Sequence, residues 1–123
     1  MTYFAYVSPK KFGSFLLPVS HQNQLLRLRA NELNFGFGLG VGELVIETSY
    51  LGLFETIRLS SDGDCIGCCS IQMMPIDQRL NYLQDLILKK HLKMDFLFEF
   101  KGPTSNVREA VKNNAWESKI GRH

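Results

Sequence analysis

The sequence lacks the features of several large protein classes. Its 123 residues contain no apolar run near the about 18 residues that a membrane span needs, and the opening segment Met1–Val7 has no basic flank typical of a signal peptide. The three cysteines are an odd number, clustered at Cys65, Cys68 and Cys69, which argues against a disulfide framework. These absences predict a cytoplasmic protein without membrane insertion.

The sequence also lacks a strong charge of either sign. The formal net charge is +2, which is too small to indicate binding to nucleic acid, so no nucleic-acid partner is expected. The cysteines lie in an apolar segment without a second cluster of metal ligands, and free cysteine packs as a small apolar side chain. We therefore predict neither a metal site nor a cofactor.

What the sequence has is an alternation of strand-like and helix-like segments. We expect strands at residues 2–8, 43–48, 65–71 and 94–100, with helices between them and a final helix with a short tail within 102–123. Helices between strands force parallel pairing. The pattern predicts one α/β domain over the whole chain, a flavodoxin- or resolvase-like four-stranded, mainly parallel sheet with helices on both faces.

A glycine-rich segment, GFGLGVG at residues 36–42, invites comparison with a phosphate-binding loop. The dinucleotide fingerprint, however, needs a strand before the glycines and a helix after them. Here the predicted order is helix, glycines, strand. We therefore expect a flexible connection that leads into the second strand.

Polar residues lie in the last positions of the predicted strands or just after them, at the edge where a parallel sheet binds ligands. They are Ser8, Glu47, Ser70, Gln72 and Glu99. Glu99 stands in an apolar segment, where a carboxylate must be paired or act on a ligand, so it is a candidate general base or sugar ligand. Ser70 is a candidate nucleophile, which would need a base nearby.

The start of the first helix carries a second set of candidates. Gln22, Asn23 and Arg27 lie where backbone amides and the helix dipole favour an anion, and an arginine adds a bidentate donor. The alternative is a surface helix whose polar residues cap its own first turn. Arg79, in the third helix, is either a further ligand-binding residue or the partner of Glu99.

Three segments resemble one family. LPVSHQNQLLR at 17–27 resembles a "V-P-x-x-x-Q-N-x-x-I-R" opening, CIGCCSIQMMP at 65–75 resembles "G-I-x-x-Y-S-L-F-x-L-P", and FLFE at 96–99 matches "h-F-A-x-E". These are patterns of the sporadic carbohydrate cluster proteins, small bacterial proteins encoded among genes for surface glycans. The chain departs from the family at Cys69, where tyrosine is usual.

The resemblance implies a participant in bacterial surface polysaccharide or lipopolysaccharide biosynthesis. It would bind or modify a sugar or nucleotide-sugar intermediate, with a sugar or phosphorylated sugar as its small-molecule ligand. The alternative is a non-catalytic scaffold for a glycan-pathway enzyme. That alternative predicts an exposed apolar patch that uses the apolar residues of the first loop, Phe12, Phe15, Leu16 and Leu17. The same residues fit three roles: a lid, the subunit interface of a homodimer, or a satellite core.

The layout is also similar to the catalytic domain of serine recombinases. Those domains have a serine after strand one and a "Y-S-x-x-R" segment after strand three, and Ser8 and Ser70 sit in comparable places. The arginine cluster that stabilises phosphoryl transfer is missing, as is a DNA-binding domain. Recombination is therefore not expected, and whether the chain is an enzyme stays open.

Overall fold

The computed structural model describes residues 1–9, 17–43 and 49–120 as an α/β fold with a five-stranded sheet. The strands are β1 Thr2–Ala5, β2 Gly36–Leu39, β3 Cys65–Cys68, β4 Lys93–Phe96 and β5 Lys101–Thr104. The helices are α1 Val19–Glu32, α2 Leu51–Leu59, α3 Gln78–Lys89 and α4 Val107–Ile120, with a 3-10 turn at Ile71–Met73. In the described residues no helix is both long and apolar enough to cross a membrane.

The strand order is β2-β1-β3-β4-β5, and β5 alone among these strands runs antiparallel. The mainly parallel sheet confirms the predicted class. The crossover from β1 to β2 runs in one direction along the sheet, and those from β2 to β3 and from β3 to β4 run in the other. Because parallel crossovers are right-handed, α1 lies on one face and α2 and α3 lie on the other. The carboxyl ends of β1, β2, β3 and β4 therefore meet at one edge, together with the starts of α1, α2 and α3.

The predicted strand positions need two corrections. The second strand is Gly36–Leu39, inside the glycine-rich segment that was expected to be a connection, and residues 44–48 of the expected strand lie outside the described residues. The fifth strand, Lys101–Thr104, was not predicted. Both β2 and β5 lie at the edges of the sheet, where glycine and proline are tolerated because one side of the strand needs no partner.

The third and fourth strands end earlier than expected. β3 ends at Cys68 and is followed by the 3-10 turn, and β4 ends at Phe96 and is followed by a turn over residues 97–100. Ser70 and Glu99 therefore lie beyond the strands instead of within them. This position lets their side chains meet across the edge of the sheet.

The core is dense around the central strands. Tyr3 is fully buried, and its ring lies across Gly67 of β3, where a methyl group would overlap the tyrosine ring. The three cysteines are free and buried, as predicted. Burial raises the pKa of Cys65 to about 12, so its thiol stays uncharged and packs as an apolar group.

Candidate functional site

Ser8 and Gln22 meet where β1 ends and α1 begins. The Ser8 amide donates to Oε1 of Gln22 at 3.2 Å, and Nε2 of Gln22 donates to the carbonyl oxygens of Ser8 and Leu17 at 2.8 and 2.7 Å. Gln22 is fully buried. Its amide therefore fixes the chain on both sides of the residues between β1 and α1, and Ser8 is held against the start of that helix.

No carboxylate lies at the start of α1 among the described residues. Pro18 precedes the helix without a side-chain cap, and the first turn contains no acidic residue. The first amide bonded within the helix is that of Gln22, which donates to the Pro18 carbonyl at 3.0 Å. Beside it, Oδ1 of Asn23 is buried without a hydrogen-bond partner. The amides of the first turn therefore present the positive end of the helix dipole next to Ser8.

Ser70 and Glu99 also meet, as their shared edge predicted. The Ser70 hydroxyl donates to Oε2 of Glu99 at 2.7 Å, and the Ile71 amide donates to Oε1 at 2.8 Å. The Gln72 amide in turn donates to Oγ of Ser70 at 3.1 Å, while the Gln72 side chain is exposed. In this geometry Glu99 caps the 3-10 turn, and its described partners are a hydroxyl and an amide instead of an arginine.

The two predicted arginines lie apart from this pair. The guanidinium of Arg27 lies 4.5 Å from the centre of the Phe37 ring on the edge strand β2. Arg79 pairs with Asp77 at 2.6 Å and stacks on Tyr50, with 4.6 Å between its guanidinium carbon and the ring centre. The described contacts thus bring together Ser8 with Gln22 and Ser70 with Glu99, but they do not join these pairs to Arg27. Glu47 lies outside the described residues.

Sequence reasoning missed a carboxylate that caps α2. Both oxygens of Glu43 accept hydrogen bonds: Oε1 from the Ser49 hydroxyl and the Gly52 amide, and Oε2 from the Tyr6 hydroxyl and the Leu53 amide, at 2.8 to 3.3 Å. Burial and the charge of Glu43 raise the pKa of Tyr6. The signal available in the sequence was an acidic residue, Glu43, a few positions before the start of α2.

A second missed group lies on the α1 face of the sheet. Asp95, fully buried in β4, accepts from the Tyr3 hydroxyl at 2.8 Å and from Nε and Nη2 of Arg29 at 2.9 and 3.3 Å. Hydrogen bonding to Asp95 raises the pKa of Arg29, and burial followed by the Asp95 charge raises that of Tyr3. Asp95 was a carboxylate in an apolar segment, the same signal that selected Glu99.

The comparisons with known proteins identify the fold. No family model matches the sequence, and no curated protein matches it. Among solved structures, the chain is similar to the C-terminal catalytic domain of ISC1926 TnpA, an IS607-like serine recombinase, at 14% identity and a TM-score of 0.61. The match covers 98% of this chain and 86% of the recombinase chain. This likeness confirms the predicted resolvase-like layout.

The same comparison corrects the predicted function and partners. The assignment to surface-polysaccharide or lipopolysaccharide biosynthesis, with a sugar or sugar-phosphate ligand, is wrong, because the matched fold is that of a recombinase and no carbohydrate family model matches. The exclusion of nucleic acid is wrong for the same reason. It relied on a net charge of +2, which averages over the whole chain and carries no information about where the charged groups lie.

Proposed function

We propose that this chain is a resolvase-like domain that binds the phosphate backbone of a nucleic acid at the start of α1, beside Ser8, without transferring the phosphoryl group. The likeness to a serine recombinase catalytic domain supports a nucleic-acid ligand. The position of Ser8 at the end of β1, held by Gln22 against α1, supports this place on the fold.

The observation that carries the proposal is the difference among the helix starts at this edge. Glu43 occupies the start of α2, Glu99 the 3-10 turn, and Asp77 the start of α3. Within the described part of the chain, the start of α1 has no carboxylate and no side-chain cap. Backbone amides there are oriented to receive an external anion, and phosphate oxygens are common ligands of such amides.

Phosphoryl transfer needs more than a serine. Charge that develops on the transferred phosphate must be stabilised by arginine, lysine or a metal ion in the site. The described arginines have other partners: Asp95 for Arg29, Glu55 for Arg58, Asp77 for Arg79, the Phe37 ring for Arg27 and Asn81 for Arg108. This distribution favours binding without strand cleavage.

The test is a binding titration of a fluorescent duplex DNA, followed by anisotropy at several salt concentrations. Ser20→Asp places a carboxylate in the first turn of α1, at an exposed position, where it competes with the phosphate. We expect wild-type binding that weakens with salt, and a five- to thirtyfold loss, corresponding to about 1–2 kcal/mol, in the variant. Asn31→Asp is the matched control, because it makes the same charge change on an exposed position near the other end of α1.

Two results would contradict the proposal. Equal binding by Ser20→Asp and Asn31→Asp would remove the start of α1 from the interface. A covalent protein–DNA adduct on a denaturing gel, lost in Ser8→Ala, would contradict the claim that no phosphoryl group is transferred.

A further inference from the structure

A cavity opens on the α1 face of the sheet, away from the start of α1. It has a volume of about 240 Å³, and it is lined by Arg29, Glu32, Phe96, Leu97 and Phe100. Arg29 follows the first residue of α1 by ten positions, so the cavity lies about 15 Å along the helix from the proposed phosphate site. The cavity is therefore a separate feature that the proposed function does not use.

Phe100 is the unusual residue of this cavity. Its side chain is 93% exposed, and its φ of +55° places a bulky aromatic residue in the left-handed region. That region is rare for such residues and costs free energy. The ring contributes little to the buried core, so the fold itself does not explain why a large apolar ring is held in solvent beside a cavity.

The polar groups of the cavity are oriented by the buried core. Asp95 binds Nε and Nη2 of Arg29, which fixes the guanidinium plane, while Nη1 donates to Oε2 of Glu32 at 3.2 Å. The Glu32 side chain is 68% exposed. A carboxylate with two oxygens accepts several hydrogen bonds, so Glu32 retains acceptor capacity for a ligand.

The charges select the ligand. Arg29 is neutralised by two carboxylates, Asp95 and Glu32, so an anion would meet net negative charge. An aliphatic side chain would leave Glu32 and Arg29 unused. A neutral planar ring with an amino group fits both Phe100 and Glu32, because its face stacks on the aromatic ring and its amine donates to the carboxylate.

We propose that this cavity binds an amino-bearing nucleobase, that is adenine, cytosine or guanine, stacked on Phe100 with its exocyclic amine donating to Glu32. The base comes either from a free nucleoside or from a nucleic-acid strand, and only the second source rests on the proposed function. A strand with one phosphate per about 3.4 Å would need four or five nucleotides to reach from the phosphate site.

The experiment compares single-stranded oligo-dA, oligo-dC, oligo-dT and an abasic strand of equal length, together with adenosine and thymidine. Phe100→Gly removes the ring and suits the positive φ, so it preserves folding. Tyr82→Ala is the matched control, because it removes another exposed aromatic side chain, 58% exposed, on α3. Glu32→Ala tests the amine contact. Binding is followed by anisotropy for the strands and by amide chemical shifts for the nucleosides.

We expect oligo-dA and oligo-dC to bind at least about fivefold more tightly than oligo-dT and the abasic strand. Phe100→Gly abolishes this advantage and leaves binding of the abasic strand unchanged, Glu32→Ala removes the preference over oligo-dT, and Tyr82→Ala changes neither. Adenosine shifting the amides of Glu32 and Phe100 without a strand identifies a free nucleoside as sufficient.

The two proposals fail separately. If all strands bind equally and Phe100→Gly has no effect, the base site is wrong, whereas phosphate binding at α1 stands. If no strand binds, the proposed function fails. The base site is then upheld by adenosine shifts that Phe100→Gly removes, and overturned by their absence.

Discussion

The starts of α1 and α2 lie at the same edge of the sheet, present the same backbone amides, and differ in what neutralises them. Glu43 accepts from the Gly52 and Leu53 amides of α2 and is itself held by Tyr6 and Ser49. α1 has no such carboxylate. A helix start at this edge is therefore either closed by a carboxylate of the chain, as in α2, or open, as in α1, where we propose that a phosphate binds.

The largest effect is expected at the closed site. Glu43→Ala leaves two buried hydroxyls and two amides without their acceptor, so the free energy of unfolding should fall by about 3 kcal/mol or more. Urea denaturation measures this loss. Glu55→Ala, on the exposed side of α2, should leave the midpoint nearly unchanged. Equal losses of stability in both variants would contradict a special contribution of the Glu43 cap to the free energy of unfolding.

A smaller loss is expected at the 3-10 turn. Glu99→Gln keeps one oxygen acceptor but places an amide nitrogen against the Ile71 amide or the Ser70 hydroxyl, so we expect a loss of about 1–2 kcal/mol in unfolding. DNA affinity of the folded variant should equal that of wild type. A large loss of affinity without a loss of stability would make Glu99 part of a ligand site, as first predicted from the sequence.

The exposed cap of α3 adds a pH dependence. Hydrogen bonding from Arg79 lowers the pKa of Asp77 from 3.8 to about 2. Folding thus favours the ionised form of Asp77. The contribution of this carboxylate to the stability of the fold is present above pH 3.8 and is lost as the pH falls through about 2. Asp77→Asn, which keeps a capping oxygen, should flatten this part of a thermal melting series between pH 6 and 2. An unchanged slope would contradict the assignment.

The smallest effect on stability, and the only gain in this series, is expected at the open site. Ser20→Asp introduces the carboxylate that α1 lacks, and it should stabilise the protein by about 0.3–1 kcal/mol while it weakens DNA binding. Urea denaturation and anisotropy on one preparation measure the gain in stability and the loss of DNA affinity. Both together would show that the start of α1 is now closed by a carboxylate, as the start of α2 is. A destabilised variant would show that these amides already have an acceptor.

The helices and central strands were predictable because their signals are local. Buried residues of α3 recur at helical spacing, and β3 is apolar throughout because both its faces are covered. The edge strands were not, because Gly36, Gly38 and Pro103 are poor strand formers whose placement depends on a neighbouring strand.

The same division applies to the site. Ser70 and Glu99 could be placed at one edge because the carboxyl ends of parallel strands share it. The contact of Ser8 with Gln22 was not predicted, since Gln22 lies on α1 and not at a strand end. Arg27 could not be placed by that rule, since its contact with Phe37 depends on which way the helix face turns over the edge strand. Asp95 carried the same signal as Glu99 but was overlooked, and its partners could not have been named from the sequence, because Tyr3 and Arg29 lie 92 and 66 positions away along the chain.

The tyrosine that lies over Gly67 connects strands of the sheet by a side-chain hydrogen bond, in addition to the backbone hydrogen bonds between neighbouring strands. Tyr3 belongs to β1 and its hydroxyl reaches Asp95 of β4, although β3 separates the two strands. Gly67 permits this span by having no side chain. The hydrogen bond between Tyr3 and Asp95 thus links two strands that are not neighbours. A side chain at Gly67 would displace the Tyr3 ring and break this hydrogen bond.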